Sequence, residues 1–295
     1  MLARFFVAAA IAAIVGCLTP RPAAAAPPIS EREFKLTLDP APFGTSYAAA
    51  SAKLWVAAQN DARQLGATVT PGGKARTKRT LVRFFDTPSG DLYCRNGLML
   101  RARARAGKEP PTEWQLTLKS RGTDFAAVGR LDPTAVAGRK AKVELTEEPV
   151  WRDGQVVRLY SLAGTTRAAD WGDTMTIAKA AAIFPALANY GPGNTRLEPV
   201  DGLTVLQVED DLGILQFPGL VMQAALIVWY NAEGRVPLAA EFTFDHKVTP
   251  PSAAPPAPTM ADRYLAALGA NLTIKPMIAQ GGTKTAMLYR RLCGG

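Results

Sequence analysis

Apolar and polar residues alternate with a period of two along much of this chain, and the alternation is broken by a few stretches with helical spacing. Residues 31–38 form a short alternating segment, and residues 47–65 are Ala-rich with apolar positions that suit a helix, ended by Gly66. Period two returns over 81–85, 98–106 and 114–120, with Gly107 to Pro111 connecting the last two, which predicts a hairpin-rich antiparallel sheet. Further strands are expected over 142–147, 150–160, 203–210, 221–230 and 238–245, with a helix over 175–188 between them. Residues 249–258 are mostly Pro, Ala and Ser and read as a semi-extended linker, followed by helices over 261–268 and 284–292. There is no internal repeat. So many strands need closure or sandwiching to protect their edges, so the expected class is mainly β, within α+β.

Because side chains alternate between the two sides of a strand, the pattern also says which residues share a face. Glu31, Glu33 and Lys35 lie opposite Phe34, Leu36 and Leu38. Arg101, Arg103 and Arg105 share a side, as do Gln115, Thr117 and Lys119 opposite Trp114, Leu116 and Leu118. Lys142 and Glu144 oppose Val143 and Leu145, and Glu241 and Asp245 oppose Phe242 and Phe244. A solvated outer face explains any one such strand. The sequence order of the charges, acids first, then arginines, then Lys119, then acids, suits the inside of a closed ring instead. Charges buried there need mutual pairing or a highly charged ligand, and a polyphosphate with a divalent cation meets both needs.

Composition narrows the chemistry. The chain has 295 residues, with 34 Lys and Arg against 25 Asp and Glu, and its single histidine, His246, excludes metal sites built on several histidines. Cys17, Cys94 and Cys293 are too few and scattered for a zinc ribbon or an iron–sulfur cluster, so any metal would sit on oxygen ligands. Arg4, the apolar run 5–18, which is too short to span a bilayer, and the small residues Ala23 to Ala26 read as an export signal over residues 1–26. Its removal takes away Arg4 and Arg21 and lowers the formal charge from +9 to +7. The expected location is periplasmic or secreted. Residues 14–17 also resemble a lipobox, which would make Cys17 a lipid anchor, and Cys94 with Cys293 would be left as one even pair suited to a disulfide. His246, Trp151, Trp171 and Trp229 read as surface or packing residues, and Lys74 to Arg79 as a solvated loop or a contact for an anionic surface.

Glu31-Arg32-Glu33-Phe34-Lys35 resembles the ExExK signature of the CYTH domain, the triphosphate tunnel metalloenzyme superfamily. Arg83 to Pro88 is similar to the family's YFDTP segment, and Leu100 to Arg103 and Trp114 to Lys119 follow in family order. The resemblance implies a closed eight-stranded antiparallel tunnel spanning residues 27–248 with flanking helices, the 259–295 segment packing on it. It implies that Lys35, Arg101, Arg103 and Lys119 grip phosphate, with Lys142 and Arg196 as further candidates, and that Glu31 and Glu33 bind Mg²⁺ or Mn²⁺ or order the attacking water. Glu144, Glu241 and Asp245 are the remaining metal candidates. Thr146 and Asp245 stand where the family has glutamates, and Glu147 or Glu148 is expected to substitute only through a bulge. The resemblance thus implies a metal-dependent hydrolase of triphosphate, polyphosphate or nucleoside triphosphate, with a non-catalytic polyphosphate-binding module or a structural envelope protein as alternatives. No nucleic-acid specificity and no mature transmembrane span are expected.

Overall fold

A computed structural model of the chain describes residues 27–72, 77–107, 111–169, 171–172, 174–280, 282–290 and 292–294. The expected export signal, the Cys17 lipobox and part of the basic 74–79 run lie outside the described residues. The elements are, in order, β1 (Ile29–Leu38), α1 (Ala41–Thr45), α2 (Tyr47–Gln64), β2 (Thr68–Pro71), β3 (Lys78–Asp86), β4 (Leu98–Arg105), β5 (Trp114–Gly122), α3 (Phe125–Val128), β6 (Lys142–Arg152), β7 (Gln155–Ala168), β8 (Met175–Thr176), α4 (Ile177–Ala181), β9 (Arg196–Pro199), β10 (Val205–Phe217), β11 (Leu220–Tyr230), β12 (Pro237–Ser252), α5 (Met260–Ala270) and α6 (Lys284–Tyr289).

Nine of these strands close a ring in the order β10-β11-β12-β1-β6-β7-β5-β4-β3, because β3 pairs back onto β10 from Val205↔Val82 to Glu209↔Lys78. These nine are the nine alternating runs of the sequence, and the count differs from the eight implied by the family resemblance. One pairing, β1 with β6, is parallel, so the sheet is not wholly antiparallel.

The apolar faces point out of the ring. On one side α2 and α5 cover Phe34, Leu36, Phe242 and Phe244. Phe34 and Phe244 stack at 5.1 Å, and the Tyr264 hydroxyl on α5 donates to the Ala58 carbonyl on α2 at 3.0 Å. On the other side Phe85, Leu100, Leu116, Leu118, Leu145 and Leu162 pack beneath Trp171, Ile177 and Phe184. The predicted helix over 175–188 is divided here, since Pro185 starts a separate 3₁₀ turn after α4.

The C-terminal segment is fastened to the ring by charges as well as by apolar contact. Arg32, fully buried and outward-facing, pairs with Glu147 on β6 at 2.6 Å and with Asp262 on α5 at 3.1 Å, and Arg158 on β7 reaches the same Asp262 at 2.9 Å. Gly269 lets α5 lie flat on Trp151, since a Cβ there would stand 2.1 Å from the indole. Residues expected as linker are partly strand, because β12 continues to Ser252, which pairs with Ile29.

Candidate phosphate site inside the ring

The charged faces of β1, β4, β5, β6 and β12 turn inward, the arrangement that the order of the charges suits, although a solvated outer face explains any one of these strands taken singly. They enclose a cavity of about 180 Å³ lined by Glu33, Lys35, Arg101, Arg103, Lys119, Arg121, Glu241 and Lys284, with Met99, Ile227 and Trp229 as its apolar walls. One end is closed. Val82, Phe84, Met99 and Trp229 meet Tyr289 of α6 in an apolar cluster there. The Cys94–Cys293 disulfide ties the segment after α6 to the turn after β3. Asp86, in the segment that resembles YFDTP, shapes that turn by accepting from the amides of Thr87, Leu92 and Tyr93 at 2.7–2.9 Å.

Glu148 organises the interior. Its carboxylate, completely buried, meets Lys119 at 2.5 Å and Lys35 and Arg121 at 2.9 Å, and accepts from Ser161 at 2.8 Å. Burial alone would raise its pKa, but Arg121, Lys119 and Lys35 outweigh that and hold it well below the usual carboxylate range. Burial also opposes the charge on each of the three cations. Glu148 overcomes this for Lys35, with help from Glu33, and for Arg121, whose pKa values rise. It does not for Lys119, which burial and the neighbouring Arg121 and Lys35 bring down to about 7. One carboxylate therefore keeps two of its three cations firmly charged.

The other two interior carboxylates are also engaged, Glu33 with Lys35 and Glu241 with Lys284, each at 2.9 Å. Arg101 donates a 3.4 Å hydrogen bond to Thr117, and among the described residues neither Arg101 nor Arg103 has a carboxylate within ion-pair distance. Burial, and for Arg101 also Arg103 and Arg121, pushes both guanidinium pKa values down. Six cationic side chains thus face three carboxylates within the cavity, and Glu209, whose charge acts on Arg103 from β10, brings the formal excess to two positive charges.

Of the residues singled out in the sequence, Glu33, Lys35, Arg101, Arg103, Lys119 and Glu241 come together in this cavity. Asp245 stands directly opposite Glu33 across the β1–β12 ladder, and Glu31 lies two residues further along β1, paired to Lys247 at 2.9 Å. Burial and the charges of Glu31 and Glu33 raise the Asp245 carboxyl to about 6. Lys142 and Glu144 pair with each other on an exposed part of β6 at 2.5 Å. Arg196 is outside the cavity, exposed on β9 and paired with Glu198 at 3.0 Å, because β9 joins the sheet outside the closed ring. Glu148 enters without a bulge, since the β6–β7 ladder is regular and residues 144, 146 and 148 share one face. Arg121 and Lys284 are site residues that the sequence did not single out, and Glu148 was expected only through a bulge.

The carboxylates offer only oxygen ligands, the donor type of Mg²⁺ and Mn²⁺. Among the described residues, however, no group of three or more acidic, histidine or cysteine side chains converges on a point that could hold a metal ion. Glu31 and Glu33 could supply one or two ligands to a cation that a phosphate brings with it, and they do not by themselves form a cage. No protein-family model matches the chain, and no curated protein sequence matches it. Among the described residues no helix is long and apolar enough to cross a membrane.

Proposed function

We propose that the ring interior is a tunnel-like binding site for a linear phosphoanhydride, triphosphate or the end of a polyphosphate, in the manner of the triphosphate tunnel superfamily that the sequence resembles. The observation that carries this reading is the uncompensated interior charge, above all the largely buried Arg101 and Arg103. Buried guanidinium groups without carboxylate partners are costly unless an anion completes them, and their planar forks match phosphate oxygens. The Cys94–Cys293 bond supports an oxidising, extracytoplasmic setting, consistent with the export signal read in the sequence. Titrating the purified mature protein with inorganic triphosphate tests the reading. Micromolar binding that Arg101→Ala weakens at least about tenfold is the expected result, whereas the same affinity in both proteins would refute it.

A second reading, hydrolysis with water as nucleophile, is favoured by the carboxylates of Glu31, Glu33 and Asp245, which neighbour one another on β1 and β12 beside the cavity. Bound Mg²⁺ or Mn²⁺ would neutralise charge on the phosphates there, with Glu31 and Glu33 as its protein ligands. Orthophosphate release that EDTA and Glu33→Ala both abolish would establish hydrolysis, and tight binding without release would leave a capture module.

A further inference from the structure

The inner faces of the strands continue past Arg103 into a second, wider space of about 660 Å³ that opens to solvent. Arg103 lines both spaces and stands at the boundary between them. Along β4 the inward positions run Arg101, Arg103, Arg105, and the outer space adds Lys78 from β3 and Arg167 from β7. Thr80, Gln115 and Gln207 add inward polar groups, Thr77 and Arg79 also line the space, and among the described residues no aromatic or large aliphatic side chain does. Among the described residues Glu113 is the one acid that lines it, paired with Arg167, and Glu209 beside it pairs with Lys78 at 3.6 Å.

We infer that this vestibule binds the distal phosphates of a linear inorganic polyphosphate whose terminal phosphates occupy the inner cavity. The inference rests on reading the interior as a phosphate site and adds a substrate preference to it. Because α6 closes the far end, a chain enters terminus first and everything beyond its first few phosphates lies against Arg105, Arg167 and Lys78. A nucleoside in the same place meets charged and hydroxyl groups and no surface on which a base could stack or shed water. The site therefore prefers chains longer than triphosphate and gains nothing from a nucleoside.

The test compares affinities for triphosphate, a linear polyphosphate of about fifteen phosphates and ATP at one fixed ionic strength. Exposed single contacts are individually weak, so a gain of roughly tenfold for the long chain over triphosphate is expected from several acting together, with ATP binding no tighter than triphosphate. The Arg105→Ala/Arg167→Ala variant should lose the long-chain gain and keep its triphosphate affinity within about twofold, and Glu113→Gln should increase the gain. A Lys53→Ala/Arg63→Ala variant, which removes equal charge from the exposed face of α2, should behave as wild type. Equal loss of the gain in both double variants would reduce the effect to overall charge and overturn the vestibule. So would equal affinity for short and long chains, or tighter binding of ATP. In each of those outcomes tight triphosphate binding leaves the inner site standing, and its absence would bring down the inner site as well.

Discussion

A single carboxylate, Glu148, sits among Lys35, Lys119 and Arg121 with no exposed surface. Removing one member of such a buried group leaves the others uncompensated, so Glu148→Gln should cost about 3–5 kcal/mol of stability, read from urea unfolding. A loss below ~1 kcal/mol would mean that water already reaches these cations. Lys119 gives the interior a pH dependence. With a pKa of about 7 it is charged below that pH and largely neutral above it, so phosphate affinity should fall as pH rises through 7. An incoming polyanion restores its proton, so triphosphate binding at pH 8 should take up close to one proton, measured by calorimetry in buffers of differing ionisation enthalpy, and Lys119→Met should abolish the uptake. The stability sign is the reverse. Between about 7 and the ordinary 10.5 the unfolded chain binds the extra proton, so this lysine's contribution to stability increases with pH across that window. Glu33, Lys35, Arg101, Arg103 and Lys119 were legible in sequence because strict alternation assigns their face. Arg121 was not, lying between Ser120 and Gly122 beyond the end of the alternating run, and Glu148 was legible only as a residue that a bulge would bring in.

At the scale of elements, α6 closes one end of the cavity and its anchoring depends on Cys94–Cys293, which bridges 199 residues. Constraining so long a loop restricts the unfolded chain, so Cys94→Ser/Cys293→Ser should lose about 2–5 kcal/mol, read from the midpoint of denaturant unfolding. An unchanged midpoint would show that Tyr289 and its apolar neighbours hold α6 unaided. The Cys pair could be suggested from compartment and number, but Lys284 could not be placed in the site, because helical spacing does not reveal what a C-terminal helix will dock against. Strand boundaries failed where a neighbour compensates for poor local propensity. Beyond Asp245, β12 has β1 beside it and no longer pairs with β11, so Pro250 and Pro251 break no ladder on that side.

Across the whole molecule, nine alternating runs were enough to imply a closed or double-layered sheet, and the closing contact between β3 and β10 was not readable, since it joins segments more than a hundred residues apart. Closure is what converts five charged strand faces into an enclosed cationic space, the proposed seat of the phosphates. The most direct measurement follows the Nζ resonances of ¹⁵N-labelled lysines during a titration with inorganic triphosphate. Saturable shifts at Lys35, Lys119 and Lys284, with the exposed Lys53 and Lys142 unmoved, are predicted. Shifts confined to the exposed lysines would place the anion on the outer surface and contradict the account.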